Sequence, residues 1–227
     1  MKTLIYQYYR KLPQQARTHH IIKDDDNYFE YSQKSIQAYA EKYGHDYKFM
    51  SDEHPISPFY SIFNPFTEGW AEKYDAICWV DADILATTDA KDIFSQYHPN
   101  KISVYFMKSQ RRWRGNSMFK WFQDKGHINS GVVIWPRALY KFVTQYLDLQ
   151  KEFNKRTILE TSLGNFDQAI VNKIVRELDD YHEMDNMWNY HLGRYSHEAR
   201  WDANLIHYWR EHKNMLVDDF KDNRILK

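Results

Sequence analysis

This 227-residue chain holds one cysteine, seven glycines and six prolines. A single thiol, Cys78, excludes a disulfide framework within the chain and a multi-cysteine zinc site. Cys78 lies inside an apolar run and reads as a small buried hydrophobe. Neither sign of charge prevails. The 31 Lys and Arg balance 31 Asp and Glu, so bulk charge gives no reason to expect nucleic acid or an anionic membrane as partner. No apolar run approaches the roughly 20 residues of a membrane span. The apolar stretch in the opening "MKTLIYQYYRKLPQQ" is too short for a signal peptide. The expectation is a protein without a membrane span, working in the cytoplasm. No internal repeat and no low-complexity segment is visible.

Aromatic residues are plentiful: 18 Tyr, 13 Phe and 8 Trp. Aromatic faces pack on the C–H faces of sugars, and they also fill cores. The length suits one α/β domain over 1–227. "TLIYQYY" reads as a first strand. "KDDDNYFEYSQKSIQAYAEKYG" reads as a helix capped by Asp26 or Asn27 and stopped by Gly44. "YKFM" is a short strand, and the proline-bearing segment 51–67 is loop with some helix. "YDAICWVDADIL" holds a third strand, "AKDIFSQY" a short helix, and "KISVYFM" and "HINSGVVIW" two more strands. "RALYKFVTQYLDLQKEF" and "NFDQAIVNKIVREL" are amphipathic helices, and "ANLIHYW" is a late strand. This alternation predicts an α/β fold with a mixed, mostly parallel sheet flanked by helices.

The run "AICWV" leads straight into Asp81 and Asp83. In open α/β sheets ligands bind beyond the carboxyl ends of strands. Residues two apart on extended chain point the same way, so both carboxylates face one site. Two like charges so close repel, and a divalent cation with a taste for oxygen, Mg²⁺ or Mn²⁺, relieves that. A strand-end carboxylate of this kind carries no core packing, so removing its charge is expected to leave the fold intact.

Three further pieces follow in order: Asn129-Ser130-Gly131 at a strand start, Asp167-Gln168 at a helix start, and His207 with Lys213 six residues later. With the D-x-D element they resemble the nucleotide-sugar glycosyltransferases of the GT-A (Rossmann-like) fold, the retaining galactosyl-, glucosyl- and xylosyltransferase type above all. The resemblance covers about 3–213. It implies a Mn²⁺-dependent hexosyl- or pentosyltransferase, with Mg²⁺ the alternative. Its donor would be a nucleoside-diphosphate sugar and its acceptor a glycan or a glycoprotein. Asp83 would ligate the metal most directly, Asp81 would share it or hold the donor ribose, and His207 would be the nitrogen ligand that favours Mn²⁺. Lys213 would contact the donor diphosphate. Asn129 and Ser130 would line the donor-sugar pocket, unless N-S-G is only a tight strand entry. Asp167 and Gln168 would lie beside the anomeric carbon, the alternative being a helix cap shared with Asn165. Gln7 and Tyr8 would stand near the base, because the fold puts the end of the first strand there.

Two positions depart from the family pattern. Arg210 stands where a glycine is usual, and His212 rather than a proline sits beside Lys213. Arg210 therefore either replaces a diphosphate contact or blocks it. The resemblance implies a nucleotide-binding part at about 1–107 and an acceptor and sugar part at about 108–227. A chain this small fits a bacterial enzyme, or a viral one in its host's cytoplasm. Two rival readings remain open. One is a sugar-nucleotide-binding module without turnover. The other is a D-x-D phosphohydrolase, which would want Thr or Val where Leu85 stands. The basic stretch 109–117, "SQRRWRGNS", is either a solvated loop or a substrate contact.

Overall fold

The computed structural model of the chain describes residues 1–10, 27–54, 58–107, 127–147 and 166–227. Asp26, Asn165 and the basic stretch 109–117 lie outside the described residues.

Strand β1 (Thr3–Tyr8) is buried along its whole length. It pairs in parallel with β2 (Asp46–Met50) on one side and β3 (Ala76–Val80) on the other. Next to β3 runs β6 (His127–Pro136), antiparallel to it, followed by β5 (Ile102–Met107) and β7 (Tyr181–Met184). Among the described residues, the six-stranded sheet has the order β2-β1-β3-β6-β5-β7, and only β6 runs against the others. The mixed, mostly parallel α/β sheet expected from the sequence is therefore present.

Period-two alternation explains why both faces of this sheet are covered. From β3, Ile77 and Trp79 enter one core beside Leu4, Tyr6 and Trp135, and there they meet Ile170, Val171 and Ile174 of α2 (Phe166–Leu178). Ala76, Cys78 and Val80 enter the opposite core, where Ile36, Tyr39 and Ala40 of α1 (Tyr28–Tyr43) wait. Cys78 is fully buried, as a small hydrophobe would be.

The C-terminus of α1 follows the expected chemistry. Gly44 adopts φ 73°, a left-handed conformation cheap only for glycine, and its N–H reaches the carbonyls of Ala40 and Glu41. At the N-terminus the Asn27 side chain makes no capping bond, and the other candidate, Asp26, lies outside the described residues. The extended path expected through Asp81 and Asp83 is broken. β3 ends at Val80, the chain turns at Ala82 and Asp83, and β4 (Ile84–Ala86) begins a second sheet. That sheet has the order β4-β9-β8, with β8 (Tyr190–His191) and β9 (Leu205–His207). On its α1 side, β4 meets two serines in place of a strand. Ser32 Oγ accepts from Ile84 N–H (3.3 Å) and donates to its carbonyl (2.7 Å), and Ser35 Oγ accepts from Ala86 N–H (3.0 Å). A last helix, α3 (Lys213–Lys221), packs against α1.

Candidate active site

The small sheet fixes where the metal candidates meet. Ile84 of β4 is paired with His207 of β9, and Tyr208 N–H donates to the Asp83 carbonyl at 2.9 Å. His207 therefore lies beside the turn that carries both aspartates. Its Nε2 is 3.2 Å from Asp83 Oδ1 and 3.7 Å from Asp81 Oδ2. One ligand atom from each of the three residues lies within 4.8 Å of the others. The two carboxylates converge because the chain turns between them, not through the extended spacing the sequence suggested.

Asp81 is held by its neighbours. Its backbone N–H donates to the Gly131 carbonyl (2.8 Å), and its Oδ1 accepts from Trp79 Nε1 (2.9 Å). Asp83 is 7% exposed, and its Oδ2 forms an ion pair with Lys213 Nζ at 2.9 Å. Among the described residues Asp83 Oδ1 is buried without a hydrogen-bond partner, although His207 Nε2 lies 3.2 Å away. Burial, and then the charge of Asp83, pushes the Asp81 carboxyl up. Burial opposes ionisation of Asp83 as well, but Lys213 and then His207 overcome it and hold that carboxyl below the ordinary range. One carboxylate is driven up while its neighbour is held down, as expected of two like charges packed together with a cationic side chain on one of them. An orphaned carboxylate oxygen, a second carboxylate and an imidazole nitrogen form a donor set that fits Mn²⁺ or Mg²⁺.

Lys213 stands at the start of α3. Its Nζ also lies 3.2 Å from Tyr28 Oη and 4.6 Å from the Tyr28 ring centroid. Burial would lower its pKa, but Asp83 and Tyr28 raise it instead, so the lysine stays charged. On the other wall, Asp167 Oδ2 accepts from Ser130 Oγ at 2.9 Å, and burial pushes the Asp167 carboxyl up. Ser130 reaches the wall through an irregularity in the sheet. Val104 pairs with Val133 and Tyr105 with Asn129, so β6 residues 130–132 have no partner on β5.

These groups line one cleft of about 350 Å³, together with Tyr8, Tyr9, Asn129, Gln168 and Trp209. Of the residues singled out from the sequence, Gln7 stands apart. It is fully buried, with its Nε2 donating to Ser32 Oγ (3.1 Å) and the Asp81 carbonyl (3.0 Å) and its Oε1 accepting from Tyr47 Oη (2.7 Å). With these bonds made, it anchors the metal-candidate turn from behind and does not line the cleft. Tyr8 does line it, with its hydroxyl donating to the Asp52 carbonyl at 2.6 Å. Arg210 begins the turn Arg210–His212, and its side chain lies outside the described residues. Sequence reasoning missed Tyr28, which meets Lys213, and Trp79, which holds Asp81.

No protein-family profile matches the chain, and no curated protein matches it by sequence. Its fold is nevertheless that of the GT-A nucleotide-sugar glycosyltransferases, which its motifs resemble. A glycosyltransferase involved in glycosylation of the major capsid of PBCV-1 superposes with a TM-score of 0.63 at 13% identity, over 97% of this chain and 99% of that one. The galactosyltransferase LgtC, solved with donor and acceptor sugar analogues, superposes with a TM-score of 0.54 at 10% identity, over 96% of this chain and 95% of that one. The glycosyltransferase GlyE of Streptococcus pneumoniae TIGR4 superposes with a TM-score of 0.54 at 13% identity, over 98% of this chain but only 61% of GlyE. Among the described residues, no helix is long and apolar enough to cross a membrane.

Proposed function

We propose that this chain is a divalent-metal-dependent glycosyltransferase. It moves a hexose or pentose from a nucleoside-diphosphate sugar to a glycan or protein-linked glycan, with retention of configuration, in the cytoplasm. The convergence of Asp81, Asp83 and His207 at the cleft of a glycosyltransferase fold carries this reading. Those three residues would hold Mn²⁺, or Mg²⁺ in its place. When bound, the cation supplies Lewis-acid stabilisation of the charge that grows on the leaving diphosphate.

The chain's own groups supply the rest. Lys213 turns from Asp83 to the diphosphate and adds its fixed charge, with Arg210 one turn ahead of it. Ser130 and Asn129 line the sugar pocket. Asp167 and Gln168 put oxygen beside the anomeric carbon, where positive charge develops. In retention the acceptor hydroxyl attacks from the leaving-group side, the sugar–phosphate bond breaks, and the departing phosphate takes the hydroxyl proton. Tyr8 meets the base. On this reading residues 1–107 bind the nucleotide and 108–227 the sugar and acceptor.

The test is a panel of UDP- and GDP-sugars incubated with Mn²⁺ or with EDTA, followed by release of nucleoside diphosphate. Metal-dependent release from one donor supports the proposal. Binding of a donor without release, in the presence of any acceptor glycan, would reduce the protein to a sugar-nucleotide-binding module.

A further inference from the structure

His207 offers two ring nitrogens, and only a deprotonated nitrogen can bind a metal. Which one is free is decided by a chain of hydrogen bonds that starts at the backbone. Gly131 N–H donates to Asn129 Oδ1 at 2.9 Å. A backbone N–H cannot accept, so the Asn129 oxygen is fixed on that side. The same oxygen lies 2.8 Å from the Asn189 side-chain amide, which must therefore present its NH₂. The Asn189 oxygen then faces His207 Nδ1 at 2.9 Å. A carbonyl oxygen only accepts, so Nδ1 carries a proton, and Nε2, on the side of Asp81 and Asp83, is the nitrogen left for a metal. All three side chains are buried: Asn189 at 0%, His207 at 2% and Asn129 at 6% exposure. Water does not compete for these bonds.

We infer that Asn189 is a positioning residue for the metal site, relaying the backbone direction of Gly131 through Asn129 to fix which nitrogen His207 presents. The inference rests on the metal reading above. It gives Asn129 a second duty: its oxygen is spent on the relay, which leaves its NH₂ as the group available to the cleft it lines. Asn189 itself follows the tight turn Asn186–Trp188, pinned by the buried Trp188, so its side chain has little freedom to swing away.

The test compares two variants. Asn189→Leu keeps the volume and removes both bonds. Asn189→Asp keeps an oxygen on Nδ1–H but loses the donor to Asn129. Both are expected to melt at lower temperature than wild type. Mn²⁺ affinity, read by the loss of free-ion paramagnetic resonance signal on the folded proteins, is expected to separate them. Asn189→Leu should bind about 10- to 100-fold more weakly, the usual cost of losing such an outer partner. Asn189→Asp should stay within a few-fold of wild type. If affinity instead follows melting temperature in both variants, or is unchanged in Asn189→Leu, Asn189 is only a packing residue and the relay is wrong. If wild type itself binds no Mn²⁺, the metal reading falls first.

Discussion

A Cβ on Gly131 would lie 2.6 Å from His207 Cε1 and 2.7 Å from Nδ1. The glycine of N-S-G is there because an imidazole is packed against its α-carbon. Its φ is not in the left-handed region, so the demand is for space and not for backbone freedom. Gly131→Ala should push the ring off the aspartates. We expect a stability loss of about 1–3 kcal/mol from overpacking and at least a tenfold weaker Mn²⁺ affinity. Urea denaturation and metal titration measure the two. A variant that binds Mn²⁺ as wild type does would mean that the ring does not ligate.

The motifs were legible in the sequence because their backbone does the placing. "AICWV" is apolar on both sides, as a central strand requires, so Asp81 and Asp83 had to follow at its carboxyl end, and Gly44 had to stop a helix. The site's supporting shell was less legible. Asn189 and Tyr28 act only through pairings such as Ile84 with His207, and α1 with α3, which no local pattern announces. Gln7 and Tyr8 part for a related reason: the end of β1 is near the cleft, but side chains alternate there, so Tyr8 lines the cleft while Gln7 faces Ser32. β7, "YHEM", lacks the alternation that would mark a strand, and it exists because β5 offers it an edge.

Asp83→Asn was expected from the sequence to spare the fold, and the structure argues otherwise. Asp83 is buried and is the anionic partner of the half-buried Lys213. Among the described residues, removing its charge leaves Lys213 with the Tyr28 hydroxyl and ring. The metal-free variant should lose about 3 kcal/mol, as for a broken buried pair. It should also lose the rise in melting temperature that a nucleoside diphosphate gives with Mn²⁺. Adding Lys213→Met should recover part of the stability and none of the binding. Full stability in Asp83→Asn alone would show that the pair contributes nothing.

His127, at the start of β6, has its pKa pushed down to about 4, first by burial and then by the charge of Arg194. An unfolded histidine titrates near 6.5. As pH falls, the unfolded chain therefore takes up this proton before the folded one. The stability tied to neutral His127 is full above about 6.5 and drains as pH falls toward 4. His127→Phe should flatten that part of the pH profile of urea midpoints. A His127 ring resonance titrating near 6.5 in the folded protein would contradict the assignment.

Asp167 is the test of chemistry as distinct from binding. It sits in the first turn of α2, where its carboxylate accepts from Ser130 Oγ and the backbone N–H groups at the helix start favour its charged form. Those contacts alone would make it a cap. Its place in the cleft wall, facing the pocket that Asn129 and Ser130 line, adds a negative charge where the proposed reaction develops a positive one. Asp167→Asn keeps an acceptor for the helix and for Ser130, so stability should change by less than about 1 kcal/mol. The charge is gone, however, and the transition state then forgoes a preorganised electrostatic interaction. That should cost about 3 kcal/mol, roughly a hundredfold in kcat. Donor affinity should scarcely move, because the developing charge is absent from the ground state. Turnover under saturating donor, set beside donor affinity by calorimetry, reads both. A variant that loses stability yet keeps its activity per folded molecule would assign Asp167 to the helix and leave Gln168 as the group beside the anomeric carbon.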